Sequence, residues 1–258
     1  MGHHNRHFAG DRYAGAGVWG APTSTANFCE EDYAVTLYIA EFMNTLTNLA
    51  YIYFAIRYPG VSSSKQTATK DKSHPPAPSW TRPDFLAVSL WILGTFSLVF
   101  HATLKHATQY GDEIAMLVLA GALLRGVWPH SMAATVGSAA AVVAASALYL
   151  VTAQILHHVF AFNSMILVTG LRTLFLIFWR RPVANRPRYL HQFSRAVGTL
   201  AFGYFLWQID LEMCSSLRSA RNFVGIPLAW LLEFHGWWHI CTALGASLYI
   251  RLIRDIDP

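Results

Sequence analysis

The chain has 258 residues, of which 54% are hydrophobic, 14% aromatic and only 13% charged, with a formal net charge of +5. Soluble domains carry about 25% charged residues. Half that fraction, on a chain this apolar, excludes a disordered polypeptide and an ordinary water-exposed globule. Much of the surface must face lipid instead. Three cysteines exclude a disulfide-rich scaffold and leave room for one bridge.

A bilayer helix needs about 20 mostly apolar residues. Seven windows qualify: about Val35–Arg57, Pro83–Leu104, Gln109–Leu124, Ala133–Gln154, Leu156–Trp179, His191–Met213 and Pro227–Ile253. Thr81 predicts a cap for the second, and Pro83 and Pro227 predict first-turn prolines for the second and seventh. The predicted fold is all-α, an integral membrane bundle of seven transmembrane helices. Residues 1–34 form an N-terminal segment with an acidic loop, 35–253 the membrane domain, and 254–258 a short tail. The first 20 residues lack the apolar core of a signal peptide, and Arg6 breaks the myristoylation pattern. Residues 58–82 are rich in Ser, Lys, Thr and Pro and read as a flexible loop.

Orientation follows from the basic residues in the connections. Twelve Lys and Arg fall on one side and five on the other. The richer side is predicted cytosolic, so the N-terminus is lumenal and the C-terminus cytosolic. The basic excess is thus a topology signal, and nucleic acid is not a predicted partner.

Ionisable groups inside a span mark functional sites. Ser97 and His101 stand at i, i+4 on one face of the second span, and the third opens with Tyr110-Gly-Asp112-Glu113. The seventh carries His235-Gly-Trp-Trp-His239, two imidazoles one turn apart that can share a metal. His101 completes three protein ligands and leaves a fourth position open, the arrangement of catalytic zinc. The predicted topology puts all of these, with Glu30 and Glu41, on the lumenal side. No Glu follows His235, so Asp112 is the candidate base for the water, and Ser97 can donate to a developing oxyanion. Simpler readings compete: a membrane histidine can serve as a helix–helix hydrogen bond, and Trp237 and Trp238 as interface anchors.

These residues resemble the alkaline ceramidases, seven-span membrane hydrolases related to the adiponectin-type receptors. The similarity runs through Gly17-Val-Trp-Gly-Ala-Pro-Thr-Ser-Thr25, Phe28-Cys-Glu-Glu-Asp-Tyr33, Tyr38-Ile-Ala-Glu-Phe-Met-Asn-Thr45, Phe100-His-Ala-Thr-Leu104, Asp112-Glu113 and the final HxxxH. The resemblance implies zinc on His101, His235 and His239, with Ser97 and Asp112 completing the catalytic group. It implies a ceramide, phytoceramide or dihydroceramide taken from the bilayer and cleaved to a sphingoid base and a fatty acid. It implies residence in the endoplasmic reticulum or Golgi. It also implies calcium on Asn27, the carbonyl of Phe28, Glu30, the carbonyl of Asp32, and Glu41. Asn27 departs from the family's usual Asp, which predicts a weaker calcium site. A disulfide between Cys29 and Cys214 is a further implication, with Cys241 left as a buried thiol. Two rival classes remain: a seven-span lipid receptor or sensor with structural zinc, and a proton or metal transporter, which would need polar residues through both leaflets. The sequence names no protein partner.

Overall fold

The computed structural model describes residues 11–58, 60 and 83–256. The described residues are helical with connecting turns. The elements are α1 (Phe42–Thr47), α2 (Leu49–Arg57), α3 (Phe85–Thr103), α4 (His106–Gly126), α5 (Met132–Thr152), α6 (Ile155–Phe175), α7 (Arg186–Glu212), α8 (Cys214–Val224) and α9 (Phe234–Asp255). A π-helical turn, Leu176–Arg180, prolongs α6, and short 3-10 turns occupy Val183–Asn185 and Leu228–Leu232.

Among the described residues three helices are long and apolar enough to cross a membrane: α3, α5, and α6 with its π turn. Helices α4, α7 and α9 have 21, 27 and 22 residues, also bilayer length, but carry more polar side chains. The five predicted windows from Pro83 to Met213 therefore fall on real helices. The Thr81 cap and most of the 58–82 loop lie outside the described residues. Asp84 caps α3, accepting from the Ala87 N–H at 2.9 Å. Ser131 does the same for α5, accepting from Ala134.

Two expectations about helix starts need correction. The first predicted window starts at about Val35, yet helix begins only at Phe42. Residues 33–41 instead satisfy the C-terminal end of α3. The Ala40 N–H donates to the Ala102 carbonyl and that of Glu41 to the His101 carbonyl, at 2.9 and 3.0 Å. Carbonyls in a helix's last turn have no partner within the helix, so a passing strand of backbone finds ready acceptors there. The last window was placed from Pro227, but α9 starts at Phe234 after the Leu228–Leu232 turn. Helix α8 was not anticipated, because its 11 residues are too polar and short to register as a span.

The chain divides into two compact units. The first comprises Met1–Tyr51, Leu93–Ala115 and Val197–Gly245. Here Tyr33, Ala40, Phe100 and Leu104 form a buried cluster. Gly17 is required beside it, since a Cβ there would lie 2.1 Å from the Tyr33 ring. The second unit comprises Ile52–Ile92, Met116–Ala196 and Ala246–Pro258. Leu117, Ala120 and Met165 form its core cluster. Arg254 holds both oxygens of Asp84 and the Tyr58 carbonyl, while Thr173 and Tyr249 share a 2.7 Å hydrogen bond. Charge separates between the units. Among the described residues the first carries ten Asp and Glu against four Lys and Arg, and the second carries two against ten.

Candidate metal centre

His101 sits in the last turn of α3, and His235 and His239 in the first turns of α9. All three are buried, and their ligand atoms lie within 4.8 Å of one another. Ring centroids are separated by 5.1 Å for His101 and His235, 4.7 Å for His101 and His239, and 4.5 Å for His235 and His239.

The neighbours fix two of the three rings for ligation. His101 Nδ1 is hydrogen-bonded to the Glu41 carboxylate. A carboxylate can only accept, so Nδ1 carries the proton and Nε2 keeps its lone pair. His239 Nδ1 lies 3.1 Å from Thr47 Oγ1. That hydroxyl already spends its hydrogen on the Met43 carbonyl at 2.8 Å, so it accepts from Nδ1 and again leaves Nε2 free. His235 Nδ1 is buried and has no hydrogen-bond partner among the described residues. An orphaned imidazole nitrogen costs free energy that a metal bond would recover. Phe28 stacks on the His235 ring at 3.6 Å between centroids and limits its rotation. Three neutral imidazoles with free nitrogens suit zinc, a borderline-soft ion.

Ser97 is buried one turn before His101 and donates a hydrogen bond to Asp112 on α4. Asp112 is within electrostatic reach of Tyr51, whose ring centroid is 6.4 Å from that of His239. The structure thus joins the predicted hydroxyl and carboxylate to one another and places Tyr51 near both Asp112 and His239.

The acidic residues form a second cluster. Asn27 Nδ2 donates to Asp32 Oδ2 at 3.2 Å, and the Phe28 N–H donates to Glu41 Oε1 at 3.1 Å. Glu30 accepts from the Met43 and Asn44 N–H groups at 2.6 and 2.8 Å, capping α1. Burial, and then the nearby charge of Glu41, push the Glu30 carboxyl up to about 8. Burial, then Glu41 and Asp11, push Asp32 up to about 8 as well. One oxygen of Asp32 is buried without a partner among the described residues. The five positions read as calcium ligands therefore lie near one another, and burial raises the carboxyls of Glu30 and Asp32. Glu41 has a second engagement that the sequence did not reveal, its bond to His101.

Cys29 and Cys214 are joined in a disulfide with Cα atoms 5.3 Å apart. Cys241 is free. Arg218 and Arg221 each donate to the Cys29 carbonyl at 3.0 Å, and Arg221 pairs with Glu233. Buried Asp210 accepts from the N–H of Cys29 on one oxygen and from that of His235 on the other. Asp210 therefore ties the disulfide segment to the start of α9. It went unremarked in the sequence, although an acid inside a predicted span is itself a signal. Replacing both cysteines with serine opens a closed loop with a sequence separation of 185. The chain-entropy argument puts the loss at about 5 kcal/mol. A melting temperature lower by about 10 °C is expected. An unchanged melting temperature would show that the bridge adds nothing.

The fold and site define a helical protein of membrane type whose buried histidines could hold a metal ion. The chain belongs to the ceramidase family, which it matches over residues 20–257; that membership makes it a hydrolase. It is 34% identical to alkaline ceramidase YPC1 of Saccharomyces cerevisiae, across 93% of this chain and 78% of that one. It is 28% identical to alkaline ceramidase 3 of Mus musculus, across 91% and 84% of the two chains. A putative alkaline ceramidase of Dictyostelium discoideum is 22% identical over 92% of this chain.

Proposed function

We propose that this protein is a zinc-dependent intramembrane amidase that hydrolyses ceramide, phytoceramide or dihydroceramide to a sphingoid base and a fatty acid. The observation that carries the reading is the buried histidine triad, with two rings already held in the tautomer a metal needs. Family membership supplies the substrate class, and similarity across nearly the whole chain disfavours the receptor reading. In this reading the chain is a seven-span bundle with the triad in its lumenal half, in the endoplasmic reticulum or Golgi, as the distribution of basic residues along the sequence favours.

Zinc, when bound, would supply Lewis acidity to an amide carbonyl and activation to a water molecule. His101, His235 and His239 would hold it, Glu41 orienting His101 and Thr47 orienting His239. Asp112 accepts the proton from water and returns it to the departing amine. Ser97, one turn from His101, supports Asp112 and can turn its hydroxyl toward negative charge developing on the amide oxygen. The test is release of labelled fatty acid from ceramide by the purified chain, with and without a zinc chelator. Turnover that survives complete removal of metal would end the zinc reading, and failure on every ceramide would end the substrate reading.

Calcium would sit on Asn27, Phe28, Glu30, Asp32 and Glu41, whose oxygen donors suit that ion. Added calcium should raise the melting temperature, because a ligand that binds only the folded state stabilises it. Asn27→Asp should lower the melting temperature in chelator, since a second carboxylate then faces Asp32 at the 3.2 Å contact. The same variant should respond to calcium at lower concentration. Identical melting curves with calcium and with chelator in both proteins would exclude the site.

A further inference from the structure

Between α8 and α9 runs an apolar segment that the hydrolytic reading does not use. Residues 222–232 contain no ionisable side chain. The apolar side chains are nevertheless outside: Phe223 is 91% exposed, Ile226 69%, and Leu228 and Leu231 57% each. Contiguous exposed apolar surface of this kind marks a contact with a partner or a membrane. The apolar character starts abruptly, because the exposed face of α8 just before it is polar, with Ser215, Ser216 and Ser219.

The segment is closed at its base and packed on its inner side. Arg221 and Glu233 flank it, are both buried, and pair at 3.0 Å. Ala229 is buried, and the Trp230 ring centroid lies 6.0 Å from that of Phe42 on α1. The Leu231 carbonyl accepts from the Trp237 indole at 3.0 Å. Charges thus face inward and apolar side chains are held outward, the reverse of a loop that meets water.

Helix α3 sets the depth of this segment. Its 19 residues rise about 28 Å, close to the roughly 30 Å of bilayer hydrocarbon. His101 is two residues from its C-terminal end, so about 3 Å inside the boundary. The ligand atoms of His235 and His101 lie within 4.8 Å, which brings the start of α9 to the same level. Leu231 precedes His235 by one turn's length of chain, so the segment lies where hydrocarbon meets headgroups. Two more exposed aromatics stand near that level, Trp19 and Tyr38, joined by an indole-to-carbonyl hydrogen bond of 2.9 Å. Amphipathic rings collect at membrane interfaces.

From this geometry we propose that residues 223–231 insert into the lipid acyl chains of the leaflet nearest the histidine triad, anchoring the start of α9 at a fixed depth. The proposal rests on the membrane reading of the chain and is independent of zinc and ceramide.

The test places the full chain, carrying Cys241→Ala to remove the free thiol, in phosphatidylcholine nanodiscs. Phe223→Cys and Leu228→Cys, both at exposed positions, are labelled one at a time with a nitrobenzoxadiazole fluorophore. Ser216→Cys on α8 is the aqueous reference, and Val143→Cys, 68% exposed on α5, the lipid reference. Labels at 223 and 228 should be quenched by phospholipid bearing an acyl-chain nitroxide, as the label at 143 is. They should also be severalfold less sensitive to aqueous iodide than the label at 216. Iodide quenching equal to that at 216 would put the segment in water and overturn the proposal. Shielding from both quenchers would mean that protein, such as a second copy of the chain, covers the segment, and would equally overturn the lipid assignment. A label at 143 that the nitroxide lipid does not reach would overturn the membrane reading, and the proposal with it, which tells the two failures apart.

Discussion

Replacing His239 with Ala should remove bound metal and hydrolytic activity together. The triad offers three side chains, and a site reduced to two loses a third of its ligand bonds. Structural zinc is held by about 10–16 kcal/mol in small domains, so each ligand accounts for roughly 4 kcal/mol. That corresponds to on the order of a 10³-fold loss in affinity. The scaffold should survive the change, because Thr47 keeps its bond to the Met43 carbonyl when the imidazole is gone. The checks are metal content per chain and fatty-acid release on the same preparation. One zinc retained per chain in the variant would rule out His239 as a ligand.

Asp112→Asn should separate metal from chemistry. Asp112 is outside the triad, so the variant should keep zinc. Asparagine preserves the shape and leaves a carbonyl oxygen to accept the hydrogen bond from Ser97. What it removes is the capacity to take up a proton. General acid–base groups contribute about 10²–10⁴ in rate, and turnover should fall by that factor. Normal turnover at normal zinc content would exclude Asp112 as the proton carrier and pass the role to another group.

The parts of this architecture written in short-range patterns were legible in the sequence. Helices α3 to α7 follow from long apolar runs, and the histidine pair from its i, i+4 spacing. Ser97 and Asp112 were named from their places in predicted spans, and the structure bonds them together. What escaped is what depends on partners far away in the chain. The late start of α1 reflects residues 33–41 bonding to the end of α3. The grip of Glu41 on His101 and the double bond of Asp210 to Cys29 and His235 join segments remote in sequence. Such contacts leave no periodicity to detect. Resemblance supplied the pairing of Cys29 with Cys214, which local pattern did not contain.

The placement of the histidines also orders the protein's biosynthesis. His101 belongs to one of the early helices, whereas His235 and His239 open the last one. A ribosome therefore delivers a single ligand first and the other two only after α1 to α8 have been made. Domains of a growing chain begin to organise from the N-terminal side. Throughout that interval Glu41 and His101 can meet, but three-point capture of an ion cannot occur. Loading of a metal on the triad would thus wait until α9 has been made. A product truncated between α8 and α9 keeps eight of the nine described helices and only one of the three histidines.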